Sequence, residues 1–156
     1  MAVTARSAAR RGRRLGAFAF GLALFALLVA SPAAFAAKLT VTITGVHSDK
    51  GNVYVALFNA ASNFPDGDHA LRHLKVKAST APITVSFDHI PPGTYAAACY
   101  HDEDLLGHFK TNWFGYPLDG YALSNGIRAV ISRPTFAEAS FPVAAPATQV
   151  TLNVKY

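Results

Sequence analysis

The sequence predicts an all-β fold: a single antiparallel β-sandwich of 7–8 strands with one long loop at residues 101–126. Three observations carry that expectation. Apolar and polar residues alternate with period two in most segments. Clusters of Gly, Pro, Asn, Asp and Ser separate those segments. No window shows helical spacing long enough for a helix of ordinary length.

The elements follow in order. Leu39, Val41 and Ile43 alternate with Thr40, Thr42 and Thr44, so β-branched residues occupy both faces of a first strand. Turn formers fill 45–52. Val53, Val55 and Leu57 then alternate with Tyr54, Ala56 and Phe58, a segment apolar on both faces that suits a central strand. The two segments read as a hairpin. Residues 60–68 are a loop. Leu71 to Ala78 alternates more weakly, and its lysines suit a sheet edge, where charge discourages unwanted pairing. Ile83, Val85 and Phe87 form the next strand, Pro91-Pro92-Gly93 the turn, and Tyr95 to Tyr100 its partner. Ala96, Ala97 and Ala98 predict close packing against another layer. Beyond the loop, 127–132, 136–143 and 149–155 read as three more strands.

The first 36 residues stand apart. Arg6, Arg10, Arg11, Arg13 and Arg14 precede an uncharged apolar run from Leu15 to Ala30, and Ala34-Phe35-Ala36 has the small-x-small form of a cleavage site. This predicts a secretory signal peptide over 1–36 and a domain over 37–156. The run is shorter than the roughly 20 residues a membrane-spanning helix needs, so no transmembrane segment is expected after cleavage. Arg13-Arg14 leaves the twin-arginine and the general secretory routes both open.

The leader also explains the charge. The chain has 14 Lys+Arg and 9 Asp+Glu; five arginines sit in the leader, leaving nine basic and nine acidic residues. The basic balance of the whole chain therefore belongs to the leader and is no evidence for nucleic-acid binding, which needs a basic face on the folded domain, so no nucleic-acid partner is expected. The single cysteine, Cys99, permits no intrachain disulfide and lies in a strand, where it reads as a small buried apolar residue.

The motifs of the second half carry a family resemblance. They are Pro92-Gly93-x-Tyr95-Ala96, His101-Asp102-Glu103, Gly107, Phe114-Gly115-x-Pro117, Gly120-Tyr121-x-x-Ser124-Asn125, Pro134-x-Phe136 and Ala139-x-Phe141. With Gly51 before the second strand, this pattern resembles the domain of unknown function 2141 family of small exported bacterial proteins. The resemblance implies an Ig-like or transthyretin-like sandwich, related in plan to carboxypeptidase-regulatory-like domains, located in the periplasm or secreted. It implies no reaction.

Three readings of residues 101–126 follow. In the family the loop resembles a calcium loop, with alternate oxygen ligands and a glycine turn. Asp102, Asp104 and Gly107 keep that form, but Leu106 and Lys110 replace ligand positions. His101 and His108 raise zinc or copper instead. The metal candidates are therefore His101, Asp102, Asp104 and His108. His69 and His73 make a further i, i+4 pair, weakened by their expected placement in loop and strand. The third reading is a compact cap in which Trp113, Phe114, Tyr116 and Tyr121 pack over the open end of the sandwich. The same four aromatics are the candidates for ligand binding.

No catalytic residues are expected. The chain has no Gly-x-Ser-x-Gly elbow and no phosphate-binding glycine loop. The transthyretin-like hydrolase signature Tyr-Arg-Gly-Ser is absent, since residues 153–156 read Asn-Val-Lys-Tyr. The expected role is a non-catalytic, cofactor-free envelope protein that binds a protein, peptide or glycan through its loops, or that assembles by an edge strand. A metal-binding protein is the alternative.

Overall fold

Branched aliphatics on alternate positions bury one face of β1 (Ala37–Thr44): Ala37, Leu39, Val41 and Ile43 are all enclosed. The computed structural model describes residues 36–128 and 132–156, and its elements lie in the compact unit Ala33–Tyr156. The expected signal peptide lies outside the described residues except for Ala36.

β1 is the centre of a three-stranded sheet. It pairs antiparallel with β4 (Ile83–Ile90), Val41 opposite Val85, and parallel with β8 (Ala147–Asn153), Val41 opposite Val150. The second sheet has the order β3 (Arg72–Lys77), β2 (Asn52–Phe58), β5 (Gly93–Asp102), β6 (Gly120–Leu123), all antiparallel. β7 (Phe141–Val143) pairs with the start of β5, Tyr95 opposite Phe141. The sheets close on Leu39, Val41, Ile43 and Leu152 from one side and Val53, Val55, Leu57, Ala97 and Cys99 from the other. Each fully buried Val, Leu or Ile among them contributes about 1.5–3 kcal/mol by leaving water. Packing of this kind holds a fold whose one cysteine is free and buried.

The all-β sandwich with eight strands is as the alternation predicts, with β2 central and β3 at an edge. Five details differ. β1 and β2 are not a hairpin, because the turn between them crosses from one sheet to the other. β2 has two apolar faces and needs cover on both, which the centre of the larger sheet supplies. The β1–β8 pair is parallel. β5 runs on through His101 to Asp102, and β6 falls inside the expected loop, so the irregular stretch is 103–119. In place of a strand over 136–143 there is one helical turn, α1 (Phe136–Ala139), followed by β7. Thr135 and Glu138 form a reciprocal capping box, a local device that overrides alternation. Finally, no strand is described over 127–132: Ile127, Arg128 and Ser132 are irregular, and residues 129–131 lie outside the described residues.

The outer face of the larger sheet is apolar too. Phe58, Ala96, Tyr121 and Leu123 form a second cluster with Phe64 from the loop after β2 and Ala139 from α1.

A candidate binding site: an aromatic groove on the larger sheet

Because Val53, Val55 and Leu57 fill the core, β2 turns Tyr54, Ala56 and Phe58 outward. Strand register then aligns Lys75, Tyr54, Tyr100 and Tyr121 in one row across the sheet. The next row is His73, Ala56, Ala98 and Leu123. A tyrosine row beside an alanine pair makes a step and a trough. Tyr54 and Tyr100 stack at 4.9 Å between centroids with planes 5° apart. Phe109 leans on Tyr100 at 5.5 Å and meets Tyr121 edge-on at 5.9 Å. Cations close both ends: Lys75 Nζ stands 5.9 Å from the Tyr54 ring and the Arg128 guanidinium 4.6 Å from the Tyr121 ring.

Three loops wall this trough into an open cavity of about 1010 Å³: residues 65–68, residues 107–117 and residues 132–134. Asp66, Asp68, His73, His108 and Arg133 supply polar groups around an aromatic and aliphatic floor. Burial, together with the nearby Tyr54 and Asp102, pushes the Tyr100 hydroxyl up to about 12. It is therefore a neutral group, able to donate a hydrogen bond at any physiological pH.

Phe114, Tyr116 and Tyr121 line the groove, whereas Trp113 lies outside its lining. The aromatics do not seal the sandwich end as a cap. Trp113 is 95 % exposed, Phe114 81 % and Tyr116 57 %, and only Tyr121 is buried. The reason is local. The Asn112 side-chain oxygen accepts from the Phe114 and Tyr116 amides, both at 2.9 Å, and the Asn112 amide donates to the Tyr116 carbonyl at 2.8 Å. This turn holds residues 113–115 at its tip, away from the sheet. Phe109 packs with Tyr100 and Tyr121 on the outer face of the larger sheet.

Residues 41–151 match the family described as "Uncharacterized protein conserved in bacteria (DUF2141)". The chain belongs to that family. The match begins in β1 and ends in β8, so it spans both sheets and the loops around the groove. No curated protein and no solved structure matches the chain.

In this DUF2141 chain the four sequence-predicted metal residues stand in different surroundings. Asp102 is buried, and its two oxygens accept from the Leu106 amide at 3.0 Å and the Gly107 amide at 2.8 Å. Asp104 pairs with Lys110, whose ammonium is held protonated above its usual range by that contact first. Asp119 accepts from the Lys110 amide at 2.7 Å, and the Asn125 amide group donates to the Glu138 and Ser140 carbonyls. His108 lines the groove. His69 pairs with Asp66 at 2.9 Å, and His73 stands on the outer row. Among the described residues, the group of three whose ligand atoms lie within 4.8 Å of one another is His47, His101 and Glu103.

Sequence reasoning passed over Tyr54, Tyr100 and Phe109. The signal for the first two was present: aromatics on the outer positions of strands whose inner positions are aliphatic.

Proposed function

We propose that this DUF2141 protein is an exported, non-catalytic binding module of the bacterial cell envelope, and that its groove receives an extended peptide segment of a partner protein. One observation carries the reading. Among the described residues, seven of the nine exposed large hydrophobic side chains fall in 105–118, beside the groove: Leu105, Leu106, Phe109, Trp113, Phe114, Tyr116 and Leu118. Phe109, Phe114 and Tyr116 of these line the groove itself, and exposed apolar side chains gathered around a groove mark an interaction site. A peptide suits it better than a glycan. Aromatic rings stack on sugars, but the three leucines offer a sugar nothing, whereas apolar side chains of a peptide pack against both. Covering Trp113 and Phe114 alone withdraws on the order of 150–250 Å² each from water. The leader over 1–36 supports export. Among the described residues, no helix is long and apolar enough to cross a membrane.

Trp113 is the chain's one tryptophan and stands at the tip of a loop that walls the groove, so its fluorescence reports a peptide that leaves the groove across that tip. Titration with leucine- and aromatic-rich decapeptides should blue-shift its emission saturably. The shift should weaken at least 10-fold in Tyr54→Ala, which removes part of the floor without touching the reporter. A shift with oligosaccharides and none with peptides replaces the peptide by a glycan. No shift with either class overturns the reading.

A further inference from the structure

The turn after β1, the end of β5 and the chain after β8 meet at one end of the sandwich. There they assemble a second cluster, built from residues no groove reading uses. We infer that His47, His101 and Glu103, with the Tyr156 hydroxyl as a fourth donor, form a binding site for a divalent late transition-metal ion, zinc foremost.

The inference rests on how the donors are prepared. His101 is almost fully enclosed, and both its nitrogens are engaged: Nε2 lies 2.7 Å from the Lys50 carbonyl and Nδ1 2.6 Å from the Tyr156 hydroxyl. A carbonyl only accepts, so Nε2 carries the proton. That leaves the Nδ1 lone pair aimed into the cluster, accepting from the Tyr156 O–H, while that oxygen accepts from the His47 amide at 3.2 Å. Metal-ligating imidazoles typically have their far N–H held in this way by a backbone carbonyl, which fixes the tautomer and the ring. Glu103 is oriented likewise: Ser48 Oγ donates to its Oε1, which leaves Oε2 facing His47 Nε2 at 3.1 Å. The His47 ring is fixed by stacking on Tyr156 at 3.6 Å. Tyr156 in turn is placed by the paired bonds between Tyr121 and Lys155, and by the missing side chain of Gly120. A Cβ at Gly120 would stand 2.2 Å from the Tyr156 ring.

Two imidazoles and a carboxylate are a donor set suited to zinc, which holds N and O ligands at about 2.0–2.2 Å and accepts a fourth oxygen. The ion takes the lone pair of His101 Nδ1, displacing the tyrosine O–H from it. It takes His47 Nε2 once the proton there has moved to Nδ1, an exchange that the half-exposed ring makes through water. Glu103 Oε2 supplies the charge. His47 and Glu103 are the accessible partners, so the ion enters from their side, and the buried His101 and its carbonyl provide the rigid half.

The purified protein is stripped with chelator and titrated with zinc by calorimetry, and in parallel with cobalt(II), whose visible spectrum reads coordination geometry. The expected result is one ion per chain and a tetrahedral cobalt spectrum. Loss should exceed 100-fold in His47→Ala and in Glu103→Gln. It should be about 10- to 100-fold in Ser48→Ala, a positioning residue that acts only through Glu103. Asp104→Ala and His108→Ala should bind as the parent does. His47 and Glu103 are partly exposed, so their variants should lower the metal-free melting midpoint only slightly, which separates lost ligation from lost folding. No stoichiometric binding, or binding that survives in the His47→Ala/Glu103→Gln double variant, overturns the inference.

Discussion

Replacing Asp102 by alanine tests what holds the 103–119 loop over the sheet. The carboxylate is buried at the end of β5 and accepts two backbone N–H groups, Leu106 at 3.0 Å and Gly107 at 2.8 Å. A hydrogen bond to a charged acceptor contributes about 1.5–3 kcal/mol, and an orphaned buried donor costs about 1–3 kcal/mol. Leu106 and Gly107 are themselves exposed. Water can therefore reach their amides once the carboxylate is gone, and the lower end applies to each. The expected loss is about 2–3 kcal/mol for the pair. For a domain of this size that lowers the thermal midpoint by roughly 10 °C. Asp102→Asn should cost about half as much, because its amide oxygen still accepts one N–H while its NH2 faces the other. Urea unfolding followed by circular dichroism measures both losses, once in chelator and once in calcium. The structural account requires the same loss in both buffers. A loss seen only with calcium would make Asp102 a metal ligand. A loss under about 0.5 kcal/mol, the range of an ordinary surface substitution, would show that the loop is held by something else.

Three further outcomes follow from named contacts. Glu103 has a carboxyl held below its usual 4.5, first by the Ser48 hydroxyl and then by His47. A depressed folded-state pKa adds stability above the unfolded value, and that stability is lost as pH falls through the folded one. Glu103→Gln should therefore flatten the fall in stability below about pH 4.5, by well under 1 kcal/mol because the pair is solvated; an unchanged pH profile in urea melts refutes the coupling. Cys99 is buried, and burial pushes its thiol up to about 12. A thiol-specific chromogenic reagent should label it only after unfolding, and stoichiometric labelling of the native protein would refute its enclosure. Gly120→Ala should cost about 1–3 kcal/mol by overpacking against Tyr156; a melt unchanged from the parent's would mean that the Tyr156 ring moves aside freely.

Much of the architecture is legible in the amino-acid sequence. The Leu39-Val41-Ile43 and Val53-Val55-Leu57 alternations mark β1 and β2, and the lysines of 72–77 mark an edge. A period of two says which side chains share a face. It does not say which strand lies alongside, so the β1–β2 hairpin was a fair expectation and the observed crossover was not legible. The Thr135–Glu138 capping box was legible as a four-residue motif but stood inside an apolar run that looked like strand. Of the groove, Phe114, Tyr116 and Tyr121 could be named from their loop, though not their exposure, which the Asn112 turn decides.

The amino-acid sequence by itself determined the fold class, the family, the balanced charge of the domain and the position of its irregular loop. Fold class, charge and loop follow from composition and local periodicity, and the family from short motifs such as Pro92-Gly93-x-Tyr95-Ala96; all are properties of residues near one another in the chain. Tertiary structure alone decided which distant residues meet. Lys75, Tyr54, Tyr100 and Tyr121 become one row only through strand register. Ser48 and Glu103, 55 positions apart, and His47 and Tyr156, 109 apart, become neighbours only when two sheets close on a shared core. The burial of aliphatic side chains between those sheets drives that closure, and it is indifferent to the polar residues it carries along. Their convergence therefore leaves no periodic trace in the chain.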